Sequence, residues 1–406
     1  MDGRSLRATL KHFLRVIWNY SGTLAALSLL VGVLAMGFVH MGRGVERDPN
    51  VYFFRGIRNT ADATAPEGVG ELSPDQVVST PQYLKFEYEG PRLNRVVAMD
   101  QEGGKAAPAG TLVAEQRLKY DEGRLVRKEN YDAQGRLCAD NSGVAVRAFD
   151  YDDAGKLTKT SFLNAAGHPV APGVPGYAIE KRAYDDEGRL DARSFFDSAG
   201  KPCMNRAGEQ VLRFRYNTLG KVASKANYID GEPADNAYGV AEERRSYDEK
   251  GRLSRVDFYD AAGKPAVCRR PGEGYASSVR RYDSRGNCSA VRYFDASGKL
   301  SAENAMMYAE RVRSYDGRGN PVYESYLADE NQLCVPPSVG YAERMCNYDH
   351  ADRLRREYFW DAEGKPGRMP HASGESPCYE RRYDYKGDKS SVVSLYTDGS
   401  TCLESR

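Results

Sequence analysis

The sequence predicts an all-β chain: an elongated antiparallel β-repeat array, ribbon or solenoid-like, with one N-terminal transmembrane helix. Three observations carry this. A Y-D phrase recurs along most of the 406 residues. A second phrase, FFDSAGKP at 195–202, returns as FYDAAGKP, YFDASGKL and FWDAEGKP. One uncharged segment, 16–39, precedes both.

The first element is a basic tail, 1–15, holding Arg4, Arg7, Lys11 and Arg15. The second is the uncharged segment, read as a transmembrane helix over 16–41. At ~1.5 Å per residue it reaches about 36 Å, enough for a ~30 Å hydrocarbon core. Trp18 and Tyr20 sit at its start, where interfacial aromatics belong. Cleavage as a signal peptide is the competing reading, and no small-x-small site follows the apolar run. The short basic tail places the N-terminus inside and the array outside the cytoplasm. Eight cysteines without an evident disulfide framework favour the opposite, a cytoplasmic array.

Residues 42–80 carry ADATAPEGVGELSPDQ and no sustained periodicity, so they read as a linker. VYFF at 51–54 is either a short ordered piece or a membrane-interface contact.

From 81 to 406 the chain repeats. The Y-D anchors fall at Tyr88, Tyr120, Tyr151, Tyr184, Tyr216, Tyr247, Tyr282, Tyr315, Tyr348 and Tyr383, 31–35 residues apart. Such periods mark stacked arrays. Within a unit, GYAIEKRAYD (176–185) and RLDARSFFD (189–197) are extended, aromatic and bounded by Asp and Gly. Each [DN]-x-x-G supplies a turn: the acid or amide accepts backbone N–H groups, and Gly takes positive φ. Two strands per unit give roughly twenty strands ~4.8 Å apart. Strict alternation puts Leu190 and Phe196 on one face with Ala192 and Ser194, and Asp191, Arg193 and Phe195 on the other.

YDDEGRL (184–190) and YDEKGRL (247–253) resemble the YD repeats of the RHS family of surface proteins. The likeness covers roughly 88–406. It implies wound antiparallel sheets used as shells or stalks, often with a C-terminal toxin domain. The period here is longer, because the F-x-D-x-x-G-K-P phrase is built in, and the array runs on to Arg406 without such a domain. YFDASGKL is also similar to cell-wall-binding aromatic repeats.

The composition excludes several classes. There are 58 basic and 57 acidic residues, a net charge of +1, which gives no footprint for nucleic acid. No phosphate loop, nucleophile elbow or paired metal-ligand spacing occurs. His168, His350 and His371 lie in or near turns and read as solvated. FDYDDAG (149–155) clusters carboxylates but lacks the ligand count of a calcium loop. Cys138, Cys203, Cys268 and Cys334 recur every 65 or 66 residues, with Cys402 after them, and read as a column of small buried positions. Cys288, Cys346 and Cys378 fall outside it. No metal, catalytic residue or cofactor is expected.

Arginines form the one candidate binding stripe. Arg182, Arg245, Arg280, Arg313 and Arg381 each stand two residues before Tyr184, Tyr247, Tyr282, Tyr315 and Tyr383, hence on the same face. The stripe is read either as a structural ladder, with Glu180, Glu243, Glu310, Glu343 or Glu380 as partners, or as a binder of an anionic envelope polymer. The expected function is a non-enzymatic, membrane-anchored interaction or scaffold module of the cell envelope, its partner a protein or an envelope glycan. An enzyme sited in the irregular turn 227–239, with Asp230 or Asp235, is the remaining alternative.

Overall fold

The computed structural model describes residues 48–58, 63–367, 378–386, 389–396 and 399–405. The side chains of 386, 389–390 and 402–405 are outside that description. The expected transmembrane helix at 16–41 lies outside the described residues, as does the tail before it. Among the described residues no helix is long and apolar enough to cross a membrane. Tyr52–Arg406 forms one compact unit.

This part is all-β apart from one short helix. Its strands join in one open antiparallel sheet. Each strand after the first few pairs with its neighbours in sequence, as in a meander. The stretch expected as a linker is ordered where it is described. Val51–Arg58 forms β1, Glu67–Glu71 forms β2, and Pro74–Ser79 forms the helix α1. VYFF is therefore a strand: β1 pairs with β2 and with Gln82–Glu89. Its rings cap the first repeat edge-on, Phe54 against Phe86 at 4.8 Å and Tyr52 against Tyr88 at 5.6 Å.

One unit shows the construction. Ile179–Tyr184 pairs with Leu190–Phe196 across the Y-D turn. Asp185 accepts from the Arg189 amide at 2.7 Å, and Gly188 sits at φ +79°. The register then shifts. Leu190 stands opposite Tyr184, but Ala192 stands opposite Ala183, so Asp191 is the extra residue of a β-bulge. The same shift recurs in the other units, from Tyr88 opposite Leu93 to Tyr348 opposite Leu354.

The bulge corrects the face assignment read from strict alternation. Leu190 is turned onto the face of Tyr184, Arg193 and Phe195, away from Phe196, Ala192 and Ser194. Leu253 likewise joins Phe258 rather than Tyr259. We call the face with the Y-D tyrosines the anchor face and its reverse the far face.

The second phrase is also more than a hairpin loop. Its turn is capped as expected, with Asp197 accepting from the Ala199 and Lys201 amides. The chain beyond it makes only a one-residue bridge, Phe196 to Pro202, before leaving the sheet. A third loop then crosses the anchor face, and the next strand starts at Val211. Third loops touch along the array through backbone bonds: Arg206 N–H to Pro175 O, Ala237 to Ala207, Ala305 to Glu273. Gly208 is required there, because a Cβ would lie 2.8 Å from the Ala237 nitrogen.

Under these loops lies the core. The first units bury aliphatics with Phe86 and Phe149. Later units replace them by rings. Phe258, Tyr275, Tyr293, Tyr308, Tyr326, Tyr341 and Phe359 follow one another at centroid distances of 4.7–5.9 Å like their counterparts Phe162, Tyr177 and Phe195. Each such pair contributes about 0.5–1.5 kcal/mol beyond its buried area.

Candidate binding surface

The Y-D tyrosines are latches between units. The hydroxyl of Tyr184 donates to the Leu157 carbonyl at 2.7 Å, and Tyr216 to Leu190 at 2.9 Å. Tyr247, Tyr282 and Tyr315 reach Val222, Leu253 and Cys288 at 2.7–2.9 Å. In these units the acceptor begins the second strand of the preceding unit, beside its bulge; Tyr120 and Tyr151 reach the equivalent Leu93 and Leu125, one residue inside theirs. A bulge interrupts the ladder, and a ring one unit away supplies a bond to the carbonyl next to it. In the last unit the latch is Tyr385, bonded to Leu354 O at 3.0 Å. Tyr383, aligned as that unit's anchor from its Y-D phrase, instead donates to the Glu357 carboxylate.

The arginines of the stripe share the anchor face with these tyrosines, and three of them are committed to carboxylates. Arg182 Nε donates to Glu180 at 2.7 Å, Arg245 to Glu243 at 2.6 Å and Arg313 to Glu324 at 2.6 Å. Glu180 is buried, which alone would raise its pKa. The hydrogen bonds and charges of Arg193 and Arg182 outweigh this and hold it below the usual carboxylate range. Arg280 faces Val291, and one of its terminal nitrogens is buried without a hydrogen bond. Arg381 stands opposite Glu357, its Nε likewise buried without a hydrogen bond. The stripe is interrupted by Phe149, Phe214 and Cys346 at equivalent positions, two residues before Tyr151, Tyr216 and Tyr348.

Two acids that carry much of this network went unread in the sequence. Glu324 collects Arg313, Arg344 at 3.7 Å and the Tyr341 hydroxyl at 3.2 Å. Glu357 takes Arg344 at 2.9 Å and Tyr383. The signal was present: each stands two residues before the buried ring of its strand, Tyr326 or Phe359, and so on the same face. Glu310 and Glu380, two of the expected partners, lie on the far face with Arg292 and Arg382. Glu343 accepts there from the Tyr323 hydroxyl.

The remaining candidates have structural partners. Asp230 opens a tight turn with φ +49° and accepts from Gln210 Nε2 at 3.2 Å. Asp235 accepts from the Ala261 amide at 2.7 Å. In 149–155, Asp150 pairs with Lys159 at 3.0 Å and Asp152 caps its turn. His168 and His350 are exposed, and His371 lies outside the described residues. Among the described residues no group of three His, Cys, Asp or Glu is placed to hold a metal ion.

The described cysteines are free thiols. The amides of Cys138, Cys203 and Cys334 donate to Asn130, Phe195 and Tyr326, so these three do share one position. In the intervening units Val170, Ala234 and Ala266 make the same bond. Cys268 sits two residues past that position. It is fully buried, and burial pushes its thiol up to about 11.

The exposed rungs are on the far face. Arg244 pairs with Glu242 there at 2.7 Å and Arg255 with Asp257 at 2.7 Å. Cations also cover the far-face rings: Lys181 over Phe196 at 4.7 Å, Arg244 over Tyr259 at 4.2 Å and Arg117 over Tyr131 at 3.9 Å.

No protein-family model and no curated protein matches the chain. Among solved structures it is similar to the Tc holotoxin pore of Photorhabdus luminescens, at 13% identity and a TM-score of 0.26. It is also similar to a TcdB2–TccC3 structure without the hypervariable C-terminal region, at 12% identity and a TM-score of 0.28. These alignments cover 79% and 82% of this chain, but only 17% and 16% of the other chains.

Proposed function

We propose that the chain is a non-enzymatic interaction or scaffold module, a β-repeat array of RHS-like type held at the cell envelope by the apolar segment 16–41. One observation supports this above the others. The residues that recur in every unit hold the next unit in place: tyrosine latches, turn acids, bulges and third loops. Far-face positions that differ between units, such as Lys181, Arg213, Arg244 and Met345 three residues before the anchor tyrosine, are exposed, which suits a long surface for a partner.

The test is cross-linking of the full chain in intact cells, followed by pull-down. A specific envelope partner, retained when Asp230 and Asp235 are both changed to Ala, is the expected result. A hydrolytic or transfer activity lost in the same variant would overturn the reading. External protease should degrade the array in intact cells; protection after any outer barrier is opened would place it in the cytoplasm.

A further inference from the structure

We infer that the far face between Ile179–Tyr184 and Ser277–Tyr282 is a docking surface for a linear acidic polysaccharide. The inference rests on the interaction-module reading and names the partner's chemistry.

Four exposed cations define the surface: Lys181, Arg213, Arg215 and Arg281. Register places them all on the far face. Lys181 stands opposite Ser194, Arg213 opposite Ala192 and Ala226, Arg215 opposite Ser224, and Arg281 opposite Ala290. Most of their cross-strand neighbours are thus small, and Lys181 has a second cation, Lys159, opposite it on its other side. Arg213 and Arg215 are two residues apart on one strand, roughly 7 Å. Lys181 lies two strands away, roughly 10 Å, and Arg281 four strands away on the other side, roughly 19 Å.

These four are not matched by carboxylates, although Lys181 lies over Phe196 and Arg213 over Tyr228. None has an ion pair among the described residues. The carboxylates on neighbouring rungs are already matched: Glu242 by Arg244, Asp257 by Arg255, Glu310 by Arg292. The patch is therefore net positive on a chain that is close to neutral, which complements a polyanion.

The form of the surface selects the kind of polyanion. Each strand of six residues or more here is paired on both sides, and the one-sided strand, Glu232–Pro233, has only two residues, too few for an extended peptide to join. Ring faces that could stack nucleobases are covered by the protein's own cations, as at Phe196 and Tyr259. A repeating acidic sugar chain needs neither. It needs charges repeated along a flat face, with small polar residues between them.

The test is binding of the full chain to polygalacturonate, with neutral dextran and single-stranded DNA as controls. Two variants are compared, each changing Lys181, Arg213, Arg215 and Arg281 together, one to Gln and one to Glu. All four residues are exposed, and thermal unfolding checks that each variant folds. The wild-type chain should bind polygalacturonate over dextran, more weakly as salt rises. The Gln variant should lose on the order of tenfold in affinity and the Glu variant more. The inference is overturned by no wild-type binding at low salt, by a Gln variant binding as the wild type does, or by equal affinity for DNA. If polygalacturonate fails while cross-linking still finds a specific envelope protein, this inference falls and the interaction-module reading stands.

Discussion

At the residue scale, the tyrosine of the Y-D phrase does two things. Its ring packs beside the preceding unit, and its hydroxyl bonds the carbonyl beside that unit's bulge. Tyr216→Phe keeps the ring and removes the bond to Leu190 O. Denaturant unfolding should show a loss of about 1 kcal/mol, the net worth of one such bond. A second residue breaks a local rule. Met307 sits at φ +59° where the third loops of other units place Gly143, Gly208 and Gly239. Its side chain is exposed, so little packing is lost on its removal. Met307→Gly should stabilise by about 0.5–1 kcal/mol in the same assay. A third residue governs acid sensitivity. Burial alone would raise the Glu115 carboxyl, but hydrogen bonds from Arg95, Arg117 and Lys105 hold it far below the usual range. A depressed folded pKa gives stability present above the unfolded value of about 4.3 and lost as pH falls below it. Glu115→Gln should therefore be less stable than wild type at neutral pH, with a flatter fall in stability below about pH 4.3.

At the element scale, turns and strand pairs were legible in the sequence because Asp and Gly mark them chemically. The bulge was not. Asp191 has no property that announces an extra residue, and a shift of one residue moves Leu190 to the other face. Spacing also misled in the last unit. Tyr383 carries the Y-D phrase, yet the latch depends on position along the strand and falls to Tyr385. The arginines and tyrosines of the candidate stripe share one face, as their two-residue spacing dictates. Its partners were only half visible: Glu180 and Glu243 lie on the arginine's own strand, while Glu324 and Glu357 come from the neighbouring one. The ladder of rings has its own consequence. Burial holds Tyr275 and Tyr341 up at about 12, against about 10 for a free phenol. A raised folded pKa gives stability that is full below about 10 and lost as pH rises toward 12. Absorbance titration should show these phenols ionising together with unfolding, in that window. Ionisation of all tyrosines near pH 10 with the sheet intact would contradict the packing.

At the scale of the whole array, each unit touches mainly its neighbours, so stability should be close to a sum of units and interfaces. The charge is arranged to match. Anchor-face Arg182, Arg245 and Arg313 are neutralised within the sheet, and Lys181, Arg213, Arg215 and Arg281, without ion pairs among the described residues, are exposed on the reverse side. The period of the sequence should therefore be a unit of deletion. Removing residues 217–247 joins Tyr216 to Asp248 and restores a Y-D turn, with latch and bulge in register. Removing about half as many residues from the same place destroys that register. Equilibrium unfolding of the two deletions tests most directly whether the recurring residues exist to hold unit to unit. A cooperative transition is expected for the 217–247 deletion, with β-sheet circular dichroism retained, and none for the half-period deletion. Equal behaviour of the two, folded or unfolded, would contradict it.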